Sequence, residues 1–172
     1  MNVYTATFYI KPYLASYLVG KWGKMHTATD KYNKESNRII VEFTSDILLY
    51  DLIVSLTTIQ PKNVVCQAGN VEIKVPAIRH LTSKKPSTHN YISKKNAKIF
   101  EQSVERLFKA DFHEYLDIKK HEEGYTYKEA SYMFLNKYCI DPDLYQPDSI
   151  RRHHSRWRNK IRNPRQKQYT RR

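Results

Sequence analysis

Cationic side chains are concentrated at one end of the chain, where their type and number suit the binding of phosphate. The last 24 residues, from Ser149 onwards, contain ten Lys and Arg side chains and no Asp or Glu. The whole chain has 30 cationic and 17 acidic side chains, a net charge of +13, so the preceding residues carry only +3. Eight of the ten are arginines, whose planar guanidinium can donate two parallel hydrogen bonds to one phosphate. This segment is expected to bind a polyanion, and nucleic acid is favoured over a membrane surface.

A predicted helix positions most of these cations. It is expected to be capped by Asp148 or Ser149 and to end near Arg162. Four residues at helical spacing are expected to pack on the preceding helices: Ile150, His154, Trp157 and Ile161. For Trp157, packing is favoured over stacking on a base. The predicted nucleic-acid contacts are the remaining polar residues of the helix and the basic residues after it: Arg151, Arg152, Ser155, Arg156, Arg158, Asn159, Lys160, Arg162, Arg165, Lys167, Arg171 and Arg172.

These residue types suit the reading of base edges in duplex DNA. Arginine can pair with guanine and asparagine with adenine in the major groove, while Lys160 and the basic tail are expected to contact phosphates. Two further functions stay open on the same residues. One is a virion or nucleoprotein component that binds nucleic acid without sequence preference, and the other is an RNA-binding protein.

No arrangement of residues predicts catalysis. His153-x-x-Arg156 followed by Tyr169 matches a short element of tyrosine recombinases, but those enzymes need a larger catalytic domain with an earlier Arg and a Lys. The sequence contains no HExxH, Cys-x-x-Cys, Walker or GxGxxG motif. We therefore expect a non-catalytic protein that uses no metal and no cofactor.

A second, longer predicted helix carries acidic residues. Four of them could in principle bind magnesium as in a nuclease: Asp111, Glu114, Asp117 and Glu122. Because Lys119 and Lys120 lie among them, ion pairing on a solvated face is favoured. His113 and His121 of the same helix are expected at the surface.

The C-terminal helices have clear boundary signals. Ser93 is expected to cap the long helix, which reaches about His121, and Gly124 follows it. Thr126 and Glu129 have the spacing of a capping box, which predicts the next helix. Asp141-Pro142 ends that helix, and about nine residues separate it from the arginine-rich one, more than the three or four of a tight helix-turn-helix.

The N-terminal 78 residues mix strand and helix patterns. Strands are predicted at residues 3–10, at 38–43 and, as a hairpin, at 63–66 with 71–78. A helix is predicted over Pro12–Trp22, and residues 24–37 are predicted to form a loop. Ser45 or Asp46 is expected to cap a second helix that ends by Pro61, with a strand as the alternative.

These patterns predict an α+β protein in two parts. Residues 1–78 are expected to form a mixed α/β unit with a small antiparallel sheet, which mediates self-association into a homo-oligomer or contact with a partner. Residues 79–92 have the composition of a linker. Residues 93–163 are expected to form a three-helix, helix-turn-helix-like bundle that binds nucleic acid, followed by a flexible basic tail at 164–172.

The C-terminal third resembles a known group of proteins. The segments KEASYMFLNKYCI and DSIRRHHSRWRNKIR are similar to the helix-turn-helix regions of small DNA-associated proteins of phages and mobile elements of gut bacteria. The resemblance implies an accessory role in replication, transposition or regulation. It transfers no catalytic residue.

Composition limits the class and location of the protein. Apolar residues make up 40% of the chain, enough for a core, but no run approaches the roughly 20 apolar residues of a membrane helix. The N-terminus lacks the regions of a signal peptide. We expect a cytoplasmic protein of a bacterial or phage-infected cell, with the virion as the alternative, in which Cys66 and Cys139 are reduced, buried thiols.

Overall fold

The structure, a computed structural model, describes residues 4–29, 35–62, 68–76 and 84–162. The elements in chain order are β1 (Thr5–Phe8), α1 (Pro12–Trp22), β2 (Gly23–Thr29), β3 (Glu35–Val41), α2 (Leu48–Leu56), β4 (Val71–Lys74), α3 (Lys94–His121), α4 (Tyr127–Lys137) and α5 (Pro147–Arg162). Tertiary contacts divide the chain into two compact units, Met1–Lys109 and Ala110–Arg172. The predicted α+β class, with a mixed N-terminal unit and C-terminal helices, is confirmed.

Four strands of the N-terminal unit form one sheet in the order β1-β4-β3-β2. Two pairs are antiparallel, β1 with β4 and β2 with β3. The pairing of β3 with β4 is parallel, with Val41 opposite Ile73, so the sheet is mixed rather than purely antiparallel. The strand predicted at 71–78 is β4, which lies inside the sheet, while its predicted hairpin partner at 63–66 lies outside the described residues.

The predicted loop at 24–37 is wrong, because β2 and the first residues of β3 fall on it. These two strands pair over seven residues, from Gly23 opposite Val41 to Thr29 opposite Glu35. Met25 and Ile39 face each other in this ladder and are 69% and 49% exposed. Pairing with another strand can hold a segment whose own sequence lacks the alternation of apolar and polar residues by which strands are recognised.

The first part of α3 packs within the N-terminal unit. Phe100 and Phe108 are fully buried, with Phe100 against Phe8 of β1 and Phe108 against Tyr13 and Tyr17 of α1. The division between the two compact units therefore falls inside α3, later than the predicted linker at 79–92. Aromatic residues of α3 contribute to the core that covers the sheet.

In this unit, the predicted cap of α3 is confirmed and the predicted cap of α2 is wrong. Ser93 caps α3 as predicted, because its Oγ accepts a hydrogen bond from the Asn96 backbone N–H at 3.2 Å. The helical prediction for α2 is also confirmed, but its cap is neither Ser45 nor Asp46. Ile47 precedes the helix without a side-chain cap, and a turn joins its backbone N–H to the Thr44 carbonyl at 3.2 Å.

In the C-terminal unit, the last turns of α3 pack with α4 and α5 around a small core. Its fully buried members are Phe112, Leu116, Ala130, Phe134, Leu135 and Ile150. The capping box of α4 is present, with reciprocal bonds between Thr126 and Glu129. Gly124, between α3 and α4, has a φ of 78°, which favours glycine.

Two predictions for this unit are wrong. The arginine-rich helix begins at Pro147, so Asp148 and Ser149 lie inside its first turn instead of capping it. Proline suits that position because its missing N–H would have no helical acceptor. Cys139 is exposed, and the other cysteine lies outside the described residues.

Within the described ranges, no helix has the length and apolar character that a membrane span requires.

Candidate nucleic-acid interface

One side of α5 anchors the helix in the C-terminal unit. Ile150 and His154 are 0% and 2% exposed, and Trp157 is half-buried, so this part of the predicted packing face is confirmed. Ile161, the fourth predicted member, is 58% exposed, which contradicts the prediction. It lies one turn beyond Trp157 and borders a shallow hollow of about 120 Å³ at the end of the helix.

The other side of α5 forms the wall of a groove of about 400 Å³. Eight residues line it: Tyr127, Arg151, Arg152, His154, Ser155, Arg158, Asn159 and Arg162. Six of them, including four arginines, are polar residues that the helical spacing predicts to point away from the core. Tyr127 is not among the predicted residues, and its contacts with His154 and Arg158 of α5 are tertiary ones that no local signal reports.

The arginines of the groove differ in their partners. Arg151 lies 3.1 Å from Asp148, and both side chains are about half exposed. Such an exposed pair contributes little stability, so a phosphate can replace the carboxylate. Arg152 and Arg162 are exposed and have no carboxylate partner within the part of the chain that the structure describes. Open cationic surface therefore remains on α5.

Arg158 is held in place from two directions. Its Nη1 lies 3.7 Å from Asp117 Oδ1, and its Cζ lies 5.4 Å from the centre of the Tyr127 ring. Its side chain is only 19% exposed. A guanidinium that is already ordered loses less conformational entropy when it binds a ligand.

A cluster of aromatic side chains lies beneath the groove. His113 is 5% exposed, so its predicted surface position is wrong. Its ring stacks on Trp157 at 4.2 Å and 12°, and its Nδ1 lies 3.0 Å from Nδ1 of His154. The weak signal for burial was its spacing, since His113 is three residues before Leu116 in the apolar stripe of α3. His121 is exposed, as predicted.

Asp117 connects this cluster to the groove. Its Oδ1 lies 3.2 Å from His154 Nε2, a close electrostatic contact that does not have the geometry of a hydrogen bond. Burial lowers the pKa of His154, and the charge of Asp117 opposes that effect only in part. His154 is therefore favoured in its neutral form near neutral pH.

The acidic residues of α3 were expected to form ion pairs with Lys119 and Lys120, but the ion pairs observed have other partners. Lys119 pairs with Glu123 at 2.6 Å, whereas Asp117 pairs across to α5. Tertiary packing supplied a closer cation than the neighbouring turn of the same helix. In the described ranges, no three His, Cys, Asp or Glu side chains are grouped so as to hold a metal ion.

Some predicted contact residues do not line the groove. Arg156 and Lys160 are exposed on α5 but lie outside its lining. Four others lie outside the described residues: Arg165, Lys167, Arg171 and Arg172.

Comparisons with models of protein families, with curated proteins and with solved structures found no match to this chain.

Proposed function

We propose that this is a non-catalytic DNA-binding protein that grips duplex DNA through the groove-lining face of α5. The observation that carries the proposal is the convergence of four arginines with Ser155 and Asn159 on a single groove. Arginine and asparagine are the side chains that read guanine and adenine most specifically in the major groove. The resemblance of the C-terminal third supports an accessory or regulatory role in a phage or mobile element.

The dimensions of α5 suit this role. Its 16 residues correspond to a helix about 24 Å long, and a major groove about 12 Å wide admits one helix. The distance along the axis from Arg151 to Arg162 is about 16 Å. The groove-lining arginines can therefore contact several successive base pairs or the phosphates that flank them.

Location and assembly belong to the same proposal. We place the protein in the cytoplasm of a bacterial or phage-infected cell, with the virion as the alternative. Residues 1–78 are proposed to mediate self-association, because dimeric DNA-binding proteins gain affinity by contacting two half-sites.

The groove can be tested with two variants of equal charge change on the same helix. Arg152→Gln/Arg162→Gln removes two groove arginines that have no carboxylate partner among the described residues. Arg156→Gln/Lys160→Gln removes two exposed cations that do not line the groove. We expect the groove variant to lose on the order of a hundredfold in affinity for a selected duplex, since each good base contact is worth about 1–3 kcal/mol. The control variant should lose only the smaller share that is due to phosphate attraction.

Binding is measured by fluorescence anisotropy on duplexes selected from a random pool, with helicity checked by circular dichroism. Equal losses in the two variants would contradict a groove-specific role. Equal affinity of the unaltered protein for every sequence would favour the non-specific nucleoprotein component. A preference for single-stranded RNA over the duplex would favour an RNA-binding protein.

A further inference from the structure

Two buried histidines connect α3 to α5 inside the C-terminal unit. The Nδ1 atoms of His113 and His154 lie 3.0 Å apart, and the residues are 5% and 2% exposed. At this distance one ring must donate a proton and the other must accept it, because a bare imidazole nitrogen is an acceptor and a protonated one is a donor. The contact excludes a state in which both Nδ1 atoms carry protons.

We propose that the contact between His113 and His154 is a proton-sensitive latch, which holds α5 against α3 near neutral pH and releases it in mild acid. The inference depends on the packing of α5 and not on the proposed function. If DNA is the ligand, opening the latch would also displace the groove, because His154 is one of the residues that line it.

The charged and titratable groups around the pair come from all three helices: Asp117 and His121 of α3, Tyr127 of α4, and His153 and Arg158 of α5. Asp117 lies near Nε2 of His154 and favours a proton there, so that His154 accepts at Nδ1 and His113 donates. The indole of Trp157, stacked on His113, can stabilise one positive charge on that ring.

The pair can therefore take up one extra proton but not two. A second proton would set two N–H groups against each other at 3.0 Å. The surroundings add to this limit. Burial lowers the pKa of His154, and the charges of His153 and His121 lower it further. Asp117 is the one nearby carboxylate that opposes these effects among the described residues.

Acid favours the release of α5, because the released rings bind more protons than the docked pair does. Once α5 is released, both rings titrate near an ordinary pKa of about 6.5 and bind two protons in acid, whereas the docked pair binds at most one. The docked state is thus fully stable above about pH 6.5 and loses stability as the pH falls below it. Each missing proton corresponds to about a tenfold change in the opening equilibrium per pH unit.

The test is hydrogen–deuterium exchange of the full-length protein, followed by mass spectrometry on peptides from α5 and corrected for the intrinsic effect of pH. Between about pH 6.5 and pH 5, the opening constant of α5 should rise by on the order of tenfold or more. His154→Gln, which cannot titrate, should lose this rise. His121→Gln is the matched control: it removes an exposed histidine that acts on His154 only through its charge, so the rise should persist with at most a small shift along the pH axis.

A second measurement covers the case in which His154→Gln does not fold. Nuclear magnetic resonance of the imidazole nitrogens reports the protonation of each ring in the unaltered protein. We expect at least one of the two rings to stay neutral wherever α5 remains protected from exchange. The latch would be overturned by two rings that both become cationic while α5 stays protected, or by a His154→Gln protein with undiminished pH dependence.

Discussion

At the scale of single residues, Glu42 shows how one carboxylate can join separate strands. It lies directly after β3 and accepts hydrogen bonds from Lys24 of β2 at 3.0 Å and Lys74 of β4 at 2.9 Å. Nε2 of His26 is also 3.0 Å away. Burial would raise the pKa of Glu42, but the hydrogen bonds and charges of Lys74 and Lys24 outweigh it and lower the pKa to about 2.

This lowered pKa predicts a loss of stability in acid. The stabilisation by Glu42 is complete above its ordinary pKa of about 4.5 and disappears as the pH falls towards 2. Between these two values the unfolded state binds a proton at Glu42 that the folded state does not bind, so acid favours unfolding. Glu42→Gln should cost on the order of 2 kcal/mol at neutral pH and should flatten this part of the pH profile.

Urea denaturation at about pH 7 and pH 3 measures both effects. Asp51→Asn, which changes an exposed carboxylate of α2, is the control and should keep the acid sensitivity of the unaltered protein. A Glu42→Gln protein as acid-sensitive as the parent would show that other carboxylates dominate.

Residue roles differed in how far they could be predicted. The polar residues of the groove were found from helical spacing, because exposed positions on one helix follow from its period. The contact of His113 with His154 could not be found in this way. Its partner His154 is 41 positions away in the chain, and no local pattern reports such a contact.

At the scale of elements, the capping box of α4 is a local device whose removal has a bounded effect. Thr126 Oγ1 accepts from the Glu129 backbone N–H at 3.2 Å, and the Glu129 carboxylate accepts from the Thr126 backbone N–H at 2.8 Å. Thr126→Ala removes the first bond and should destabilise the C-terminal unit by about 1 kcal/mol.

Thr126→Ser preserves the hydroxyl and is the matched control, expected to remain within a few tenths of a kcal/mol of the parent. Hydrogen exchange of peptides from α4 measures the change locally. Because Tyr127 is the next residue and supports Arg158, the alanine variant should also weaken the order of the groove. Identical exchange in both variants would mean that the cap contributes nothing measurable.

Helices were easier to predict than strands for a related reason. The start of α3 at Ser93 and of α4 at Thr126 is encoded by side chains that bond their own first turn. The predicted starts of α2 and α5 are wrong because Ile47 forms no side-chain cap, and because α5 begins with a proline, which favours a helix start through its fixed φ. The pairing of β2 with β3 was not predicted, because each strand is held by the other strand and not by its own neighbouring residues.

At the scale of the whole molecule, the basic end of the chain contributes in two separable ways. The groove of α5 offers four arginines, and the residues after Arg162 add four more cations. If both contact DNA, a chain that ends at Asn163 should still prefer its selected duplex. The slope of log affinity against log salt should become shallower by up to about 3.6, or 0.9 for each lost phosphate contact.

Affinity is measured between about 50 and 200 mM salt, over which the full chain should lose on the order of a thousandfold. A full-length protein with Gln at the same four positions is the control and should reproduce the shallower slope. If the shortened chain binds nothing while the full chain binds every sequence equally, the basic tail and not α5 grips the nucleic acid.

Local sequence was enough to predict the α+β class, the first residues of α1, α3 and α4, and the cationic face of α5, because periodicity, caps and charge act over a few positions. Only tertiary packing could decide the mixed sheet, the place of α3 in the N-terminal core, and the contact of His113 with His154. These features depend on residues that lie tens of positions apart. Their free energy comes from desolvation and pairing across the fold, which a one-dimensional pattern does not record.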